Sequence, residues 1–218
     1  MKLSQKLDAV IEKRHLLKHP FYEAWTKGEL SVSTLRQYAG QYWQQVSSFP
    51  RFVSAVHSNC ENIEARKVLL RNLTDEEIHG TDHPTLWMHF AEGLGARESE
   101  VVSQTALPKT REMVDTFFQL ARGDWRDGLC ALYAYESQTP AVSKSKLDGL
   151  IKHYGIKDAK TLAFFKVHLE YDVEHSHQAA ALIDAHCDEA KAIAATEKAA
   201  DSLWGFLDGI AHEAGIKC

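Results

Sequence analysis

The chain has 218 residues, 44% hydrophobic and 25% charged, which is enough for one sizeable core and demands no second domain. A net charge of −5 leaves no basic footprint for nucleic acid or an anionic membrane surface, and no apolar run is long enough to span a bilayer. Four scattered cysteines, Cys60, Cys130, Cys187 and Cys218, form no CxxC pair; with no signal-peptide pattern at the N-terminus, they fit reduced thiols in a cytoplasmic protein.

Spacing near 3.6 runs through nearly every segment, and no period-2 strand or hairpin signal interrupts it. A first helix is predicted over 3–16, with Leu3, Leu7, Val10 and Ile11 on one face; Pro20 opens a short second one through Trp25. Ser31 or Ser33 caps a long helix bearing Leu35, Tyr38, Ala39, Tyr42, Trp43 and Val46, which Pro50 bends or breaks. A helix over 62–78 follows. Gly80 and Pro84 interrupt it before another around 84–92, stopped by Gly93-Leu94-Gly95. Helices are predicted at 98–104, 108–121 and 125–138, the last ending near Pro140. After Gly155 comes one long pattern, 158–186, and a closing helix at 189–212. The expectation is a single all-α domain, 1–218, of seven to nine helices.

The pattern at 158–186 carries polar residues where a core stripe belongs. One face reads Thr161, Phe164, Phe165, His168, Asp172, His175, Ala179, Leu182. Two imidazoles and a carboxylate buried without partners cost several kcal/mol, so something must compensate, either a hydrogen-bonded polar core or a metal. Glu136 shares a stripe with Leu129, Leu132 and Tyr133, and Glu76 follows Leu69 and Leu73. His83 falls in the Gly80–Pro84 break, just before the next helix. Three carboxylates and three histidines are more than one structural zinc needs, and suffice for two divalent ions with open positions. A competing set, Glu76-x-x-His79 and Glu174-x-x-His177 with Glu136, imitates the ferritin-like di-iron pattern. It is disfavoured because His177 shares its stripe with Lys166, Glu170, Val173, Glu174 and Asp184, a largely polar face.

These residues also carry a resemblance. The runs Phe21-Tyr22-x-x-Trp25-x-Lys27-Gly28-Glu29-Leu30, Asn72-Leu73-x-Asp75-Glu76-Glu77, Tyr135-Glu136-Ser137-Gln138-x-Pro140 and Gly205-Phe206-Leu207-Asp208 are similar to those of one family. It comprises the Chlamydia protein associating with death domains and its bacterial relatives, within the heme-oxygenase-like dimetal oxidases. The resemblance implies a heme-oxygenase-like (TenA/PqqC-like) helical bundle, with Glu76, His83, Glu136, His168, Asp172 and His175 as metal ligands. It further implies a dinuclear iron or mixed manganese/iron cofactor, O2 and an external reductant as co-substrates, and p-aminobenzoate for folate biosynthesis as product. Tyr22 matches the internal tyrosine consumed as the ring source, Tyr38 and Tyr135 are further site tyrosines, and Lys146 matches the amine donor. A cytoplasmic homodimer is expected, with no nucleic-acid or membrane partner; the electron donor stays open. Three alternatives remain at this point: a thiamin-salvage or quinone-cofactor enzyme, for which Cys130 lies one and a half turns before Glu136; a heme enzyme with His15 or His19 as axial ligand; and a non-catalytic metal-binding interaction protein.

Overall fold

Helices make up 79% of the computed structural model, which describes residues 1–169 and 171–218 and has no strand among them. In chain order they are α1 (Leu3–Glu12), α2 (Pro20–Lys27), α3 (Val32–Val46), α4 (Phe49–Asn59), α5 (Ile63–Glu77), α6 (His83–Gly93), α7 (Glu98–Ser103), α8 (Pro108–Arg122), α9 (Trp125–Glu136), α10 (Thr139–His153), α11 (Ala159–Val167), α12 (Tyr171–His186) and α13 (Glu189–Glu213). A 3-10 turn at Leu16–Lys18 links α1 to α2, so the first helix is shorter than its predicted span.

The larger helix count has a simple physical source. All five prolines of the sequence stand in the first turn of a helix, at α2, α4, α6, α8 and α10, where the missing N–H costs nothing. Pro50 and Pro140, read from the sequence as breaks, therefore open α4 and α10, which the sequence reading left out. Side-chain caps start several others: Ser31 Oγ accepts from Thr34 N at 3.0 Å, Asp82 Oδ1 from Thr85 N at 2.8 Å, and Asp158 Oδ2 from Thr161 N at 2.9 Å.

The predicted long helix over 158–186 is divided. His168 closes α11, its backbone at φ −73° and ψ −9°, and Leu169 N bonds Lys166 O in a tight turn before α12 begins at Tyr171. Glu170, placed by the sequence pattern on the His177 stripe, lies outside the described residues.

The 25-residue α13 packs on α8, α9, α1 and α2, burying Ala192, Ala195, Ala199, Leu203, Phe206, Leu207 and Ile210. Alanines in its first half allow close approach, and the large side chains of its second half fill the centre. Each such large apolar side chain contributes roughly 1.5–3 kcal/mol on burial. Around this core, α5, α9 and α12 pack together on one side and α6 on α11 on another, bringing five helices to one polar pocket. At a second point α10 lies on α2. Gly149 makes that approach possible, since a Cβ there would stand 2.8 Å from Trp25 Cδ1, and Trp25 Nε1 donates to Lys146 O at 3.3 Å.

Candidate metal centre

Six side chains from five helices gather into two groups of three, and the ligand atoms of each group lie within 4.8 Å of one another. Glu76 from α5, His83 at the first residue of α6, and His168 at the end of α11 form one group; Glu136 from α9 with Asp172 and His175 from α12 form the other. All six are at most 5% exposed. The turn between α11 and α12 explains the division: it turns His168 away from the line that a continuous helix would give it with Asp172 and His175. His83, expected in the break just before the next helix, is the first residue of that helix, and the chain turns ahead of it at Gly80, φ +75°.

The donors approach without bonding one another. His83 Nδ1 lies 2.9 Å from Glu76 Oε2, yet both ring nitrogens of His83 lack a hydrogen-bond partner, because the ring's N–H direction misses the carboxylate. His175 Nδ1 is 3.4 Å from Glu136 Oε1 and 3.8 Å from Asp172 Oδ1, again with no hydrogen bond, and Asp172 Oδ2 is also unpartnered. Buried polar atoms left this way cost about 1–3 kcal/mol each. Their lone pairs converge on shared points, as ligands of a cation do.

Three of the six, His168, His175 and Glu136, are firmly held by hydrogen bonds to groups outside the set. His168 Nδ1 donates to Phe164 O at 2.6 Å, which turns Nε2 and its lone pair inward. His175 Nε2 bonds Asp75 Oδ2 at 2.9 Å, leaving Nδ1 towards Glu136 and Asp172, and Glu136 Oε1 accepts from Asn72 Nδ2 at 2.7 Å. Asp75 also holds the exposed His79 at 2.6 Å. Sequence reasoning missed Asp75 as a site residue; its partner is 100 positions away, so no local pattern announces it.

Protonation follows from this crowding. Burial, reinforced by the Glu136 and Glu76 carboxylates, pushes Asp172 up to about 7. For His175, burial works against the charged ring, but the Asp172, Glu136 and Asp75 carboxylates outweigh it and raise the ring to about 11. His83 is likewise raised against its burial by Glu76, whereas His168 is driven well down by burial and by His83. Asp172, His83 and His175 are thus all shifted towards holding a proton, while His168 is not. Nitrogen and oxygen donors in two groups fit a pair of ions of the iron and manganese type, whose binding would displace those protons.

Beside this pocket is an aromatic one. Lys146, half-way along α10 and 4% exposed, points its Nζ at Tyr38 Oη at 2.6 Å, and Tyr38 bonds Tyr22 at 2.8 Å. The rings of Tyr22, Tyr38 and Tyr42 surround the amine at 4.9–5.0 Å, with Trp25, Trp87 and Phe165 within 5.9 Å. Burial alone holds its pKa well below the ordinary lysine value, so the amine is disposed to be neutral. Tyr42 was read from the sequence only as a core residue. The structure gives it a further place: its hydroxyl donates to Tyr135 Oη at 2.8 Å, and its ring stacks on Tyr38 at 5.4 Å and 17°. Burial chiefly, with the Asp172 and Glu76 carboxylates adding to it, raises the Tyr42 and Tyr135 phenols, whereas Tyr38 bonds the lysine amine directly.

The competing ligand sets come apart. His79, Glu174 and His177 are exposed, so the ferritin-like pattern is not assembled. His19 accepts from Phe21 N through Nδ1 and bonds Asp208 through Nε2 at 3.1 Å; His15 Nδ1 accepts from Leu17 N. With both nitrogens engaged, His19 has no free lone pair to offer a heme. Cys130 shares a cavity lining with Cys187 and belongs to neither group of donors.

A model of the family of iron-containing redox enzymes matches residues 36–206. The chain belongs to this family. The match covers all six donors with Tyr38, Tyr135 and Lys146, and Tyr22 precedes it. Among curated family relatives, the 4-aminobenzoate synthase of Nitrosomonas europaea is 44% identical, over 96% of this chain and 90% of its own length. That of Chlamydia muridarum is 40% identical, over 98% and 92%. The solved structure of a TenA homolog from Pseudomonas syringae shares the fold with a TM-score of 0.84 at 19% identity, over 95% and 92% of the two chains. The all-α, heme-oxygenase-like expectation is met, as is that of a metal-dependent redox enzyme. No helix among the described residues is long and apolar enough to cross a membrane.

Proposed function

We propose that this family member is an O2-dependent synthase of 4-aminobenzoate, using a dinuclear iron or mixed manganese/iron centre held by Glu76, His83, His168, Glu136, Asp172 and His175. The observation that carries the reading is the junction of two pockets: unpartnered ligand atoms in two groups, joined through paired tyrosines to a buried, partner-poor amine. The names of the curated relatives support the same product. When bound, the metal pair supplies O2 activation with electrons from an external reductant.

The chain's own residues do the rest. His168 and His175 are fixed by Phe164 O and Asp75 so that each offers one nitrogen inward. Tyr135 and Tyr42, hydrogen-bonded at the edge of the donor pocket, relay oxidation and its proton away from it. Tyr38, stacked on Tyr42 and bonded to Tyr22, passes it on, and Tyr22 is consumed as the source of the aromatic ring. Lys146, its pKa lowered by burial among aromatic rings, offers its amine nitrogen for transfer to that ring. The surrounding aromatic side chains exclude water that would compete for an oxidised ring.

Anaerobic loading with Fe(II), alone and with Mn(II), followed by reduction, O2 exposure and liquid chromatography–mass spectrometry, tests this reading. The expected result is a metal pair per chain and release of 4-aminobenzoate. A fully loaded, reduced protein that consumes O2 and yields no 4-aminobenzoate would overturn it.

A further inference from the structure

The function proposed above leaves one pair of reactive groups unused. Cys130 on α9 is fully buried, while Cys187, in the link from α12 to α13, is partly exposed. Both line the same solvent-open cavity of about 250 Å³, whose rim carries Arg126, Asp127, His186 and Lys191. The cysteines are 57 positions apart in sequence, and the packing of α12 on α9 brings them together. Near Cys130 stands Thr196 of α13, 0% exposed, whose hydroxyl has no hydrogen-bond partner.

The two thiols are chemically unequal. Cys187 immediately precedes the Asp188 cap of the longest helix, so its sulfur stands near the positive end of α13, and Arg126 adds a cation. Contact with Cys130 and the Arg126 charge favour the Cys187 thiolate over the effect of its burial. Contact with Cys187 and burial disfavour ionisation of Cys130. Arg126 is itself held over the cavity mouth, with Nε donating to His186 O at 3.1 Å and a second nitrogen 3.2 Å from Asp124. An accessible, ionisable outer thiol backed by a buried inner one is the arrangement in which the outer sulfur reacts and the inner one resolves the product.

We propose that Cys130 and Cys187 form a redox-active dithiol site that reduces small hydroperoxides and closes to a disulfide. The Cys187 thiolate attacks one oxygen of the hydroperoxide, the O–O bond breaks, and the other oxygen leaves as water or an alcohol with one proton. Cys187 is then a sulfenic acid. The Cys130 sulfur attacks it, the S–S bond forms, the S–O bond breaks, and hydroxide leaves as water with the Cys130 proton. Two thiols have lost two electrons and two protons, and the hydroperoxide has gained both. A small external thiol reopens the pair by exchange. The site uses none of the six metal donors, so it stands or falls independently of the synthase reading.

The test treats the reduced, metal-stripped full-length chain with stoichiometric hydrogen peroxide, blocks remaining thiols with N-ethylmaleimide, and maps peptides without reduction. The expected product is a Cys130–Cys187 cross-linked peptide that forms before Cys60 or Cys218 oxidises and disappears with dithiothreitol. Cys130→Ser should trap Cys187 as a sulfenic acid that a 1,3-diketone labels, and Cys187→Ser should leave Cys130 unoxidised. A native chain in which Cys187 stays fully alkylatable, or passes to the sulfinic acid while Cys130 remains a free thiol, would overturn the proposal.

Discussion

Two buried polar pockets lie side by side in this bundle, and their electrostatics are opposite. The six-donor pocket holds three carboxylates and three imidazoles; ring or carboxylate atoms of His83, Asp172 and His175 are unpartnered there, while His175, Glu136 and His168 are also bonded to Asp75, Asn72 and Phe164 O. The lysine pocket holds one amine, hydrogen-bonded to Tyr38, with rings around it. The first gathers donors suited to cations, and the second buries an amine deeply enough to lower its pKa. The difference shows how one hydrophobic core can support two chemistries: the sign of the charge left uncompensated decides whether a pocket gathers a metal or keeps a nitrogen lone pair.

Removing a donor breaks this contrast most severely. His168→Ala or Asp172→Ala should abolish both metal pairing and 4-aminobenzoate formation, as read by metal analysis and product mass spectrometry; retention of two metals per chain by either variant would contradict the ligand assignment. Changing only the support should weaken the site without dismantling it. Asp75→Asn leaves the donors present but loosens His175, and the expected cost is a 10- to 100-fold loss of metal affinity, on the order seen for such outer partners, checked by competition with a chelator.

The link between the pockets can be cut separately. Tyr42→Phe removes the hydroxyl that bonds Tyr135 but keeps the ring stacked on Tyr38. Metal content and O2 consumption should persist while product yield falls about tenfold, equivalent to ~1.4 kcal/mol on the barrier. Unchanged yield would remove Tyr42 from the relay.

The smallest effect is on stability and sharpens the second pocket. Burial lowers the Lys146 pKa well below the ordinary 10.5, so the folded chain binds its proton less readily than the unfolded one, and stability falls as pH drops from 10.5 towards the depressed folded value. Lys146→Met should therefore raise the free energy of unfolding at neutral pH. It should also flatten the rise of stability with pH over that window, measured by denaturant titration at several pH values. A Met variant less stable than the native chain at pH 7 would show that the amine is well accommodated as a cation.

Much of the donor pocket was legible because helices write burial into sequence as periodicity. Glu136, Asp172 and His175 each interrupt an apolar stripe, and the structure buries all three. The stripe logic also predicted one continuous helix through His168. It missed the turn at 168–169, because that turn uses no Gly or Pro and is closed by backbone bonds that leave no compositional mark. Lys146 was legible only through the resemblance, although Val142, Ser143, Gly149 and Leu150 put it on the buried face of α10. Reading Pro140 as a stop, when it is a helix start, hid that stripe. Tyr42 and Asp75 take their roles from Tyr135 and His175, 93 and 100 residues further on. Such pairings arise from tertiary packing, which no local spacing encodes.

The most direct measurement follows both pockets in one sample: the metal-loaded, reduced chain is exposed once to O2, and released product and peptides covering Tyr22 and Lys146 are weighed together. The account predicts 4-aminobenzoate in proportion to chains that have lost the intact Tyr22 side chain and the Lys146 amine. Product accumulating beside an unaltered Tyr22 and Lys146 would contradict it.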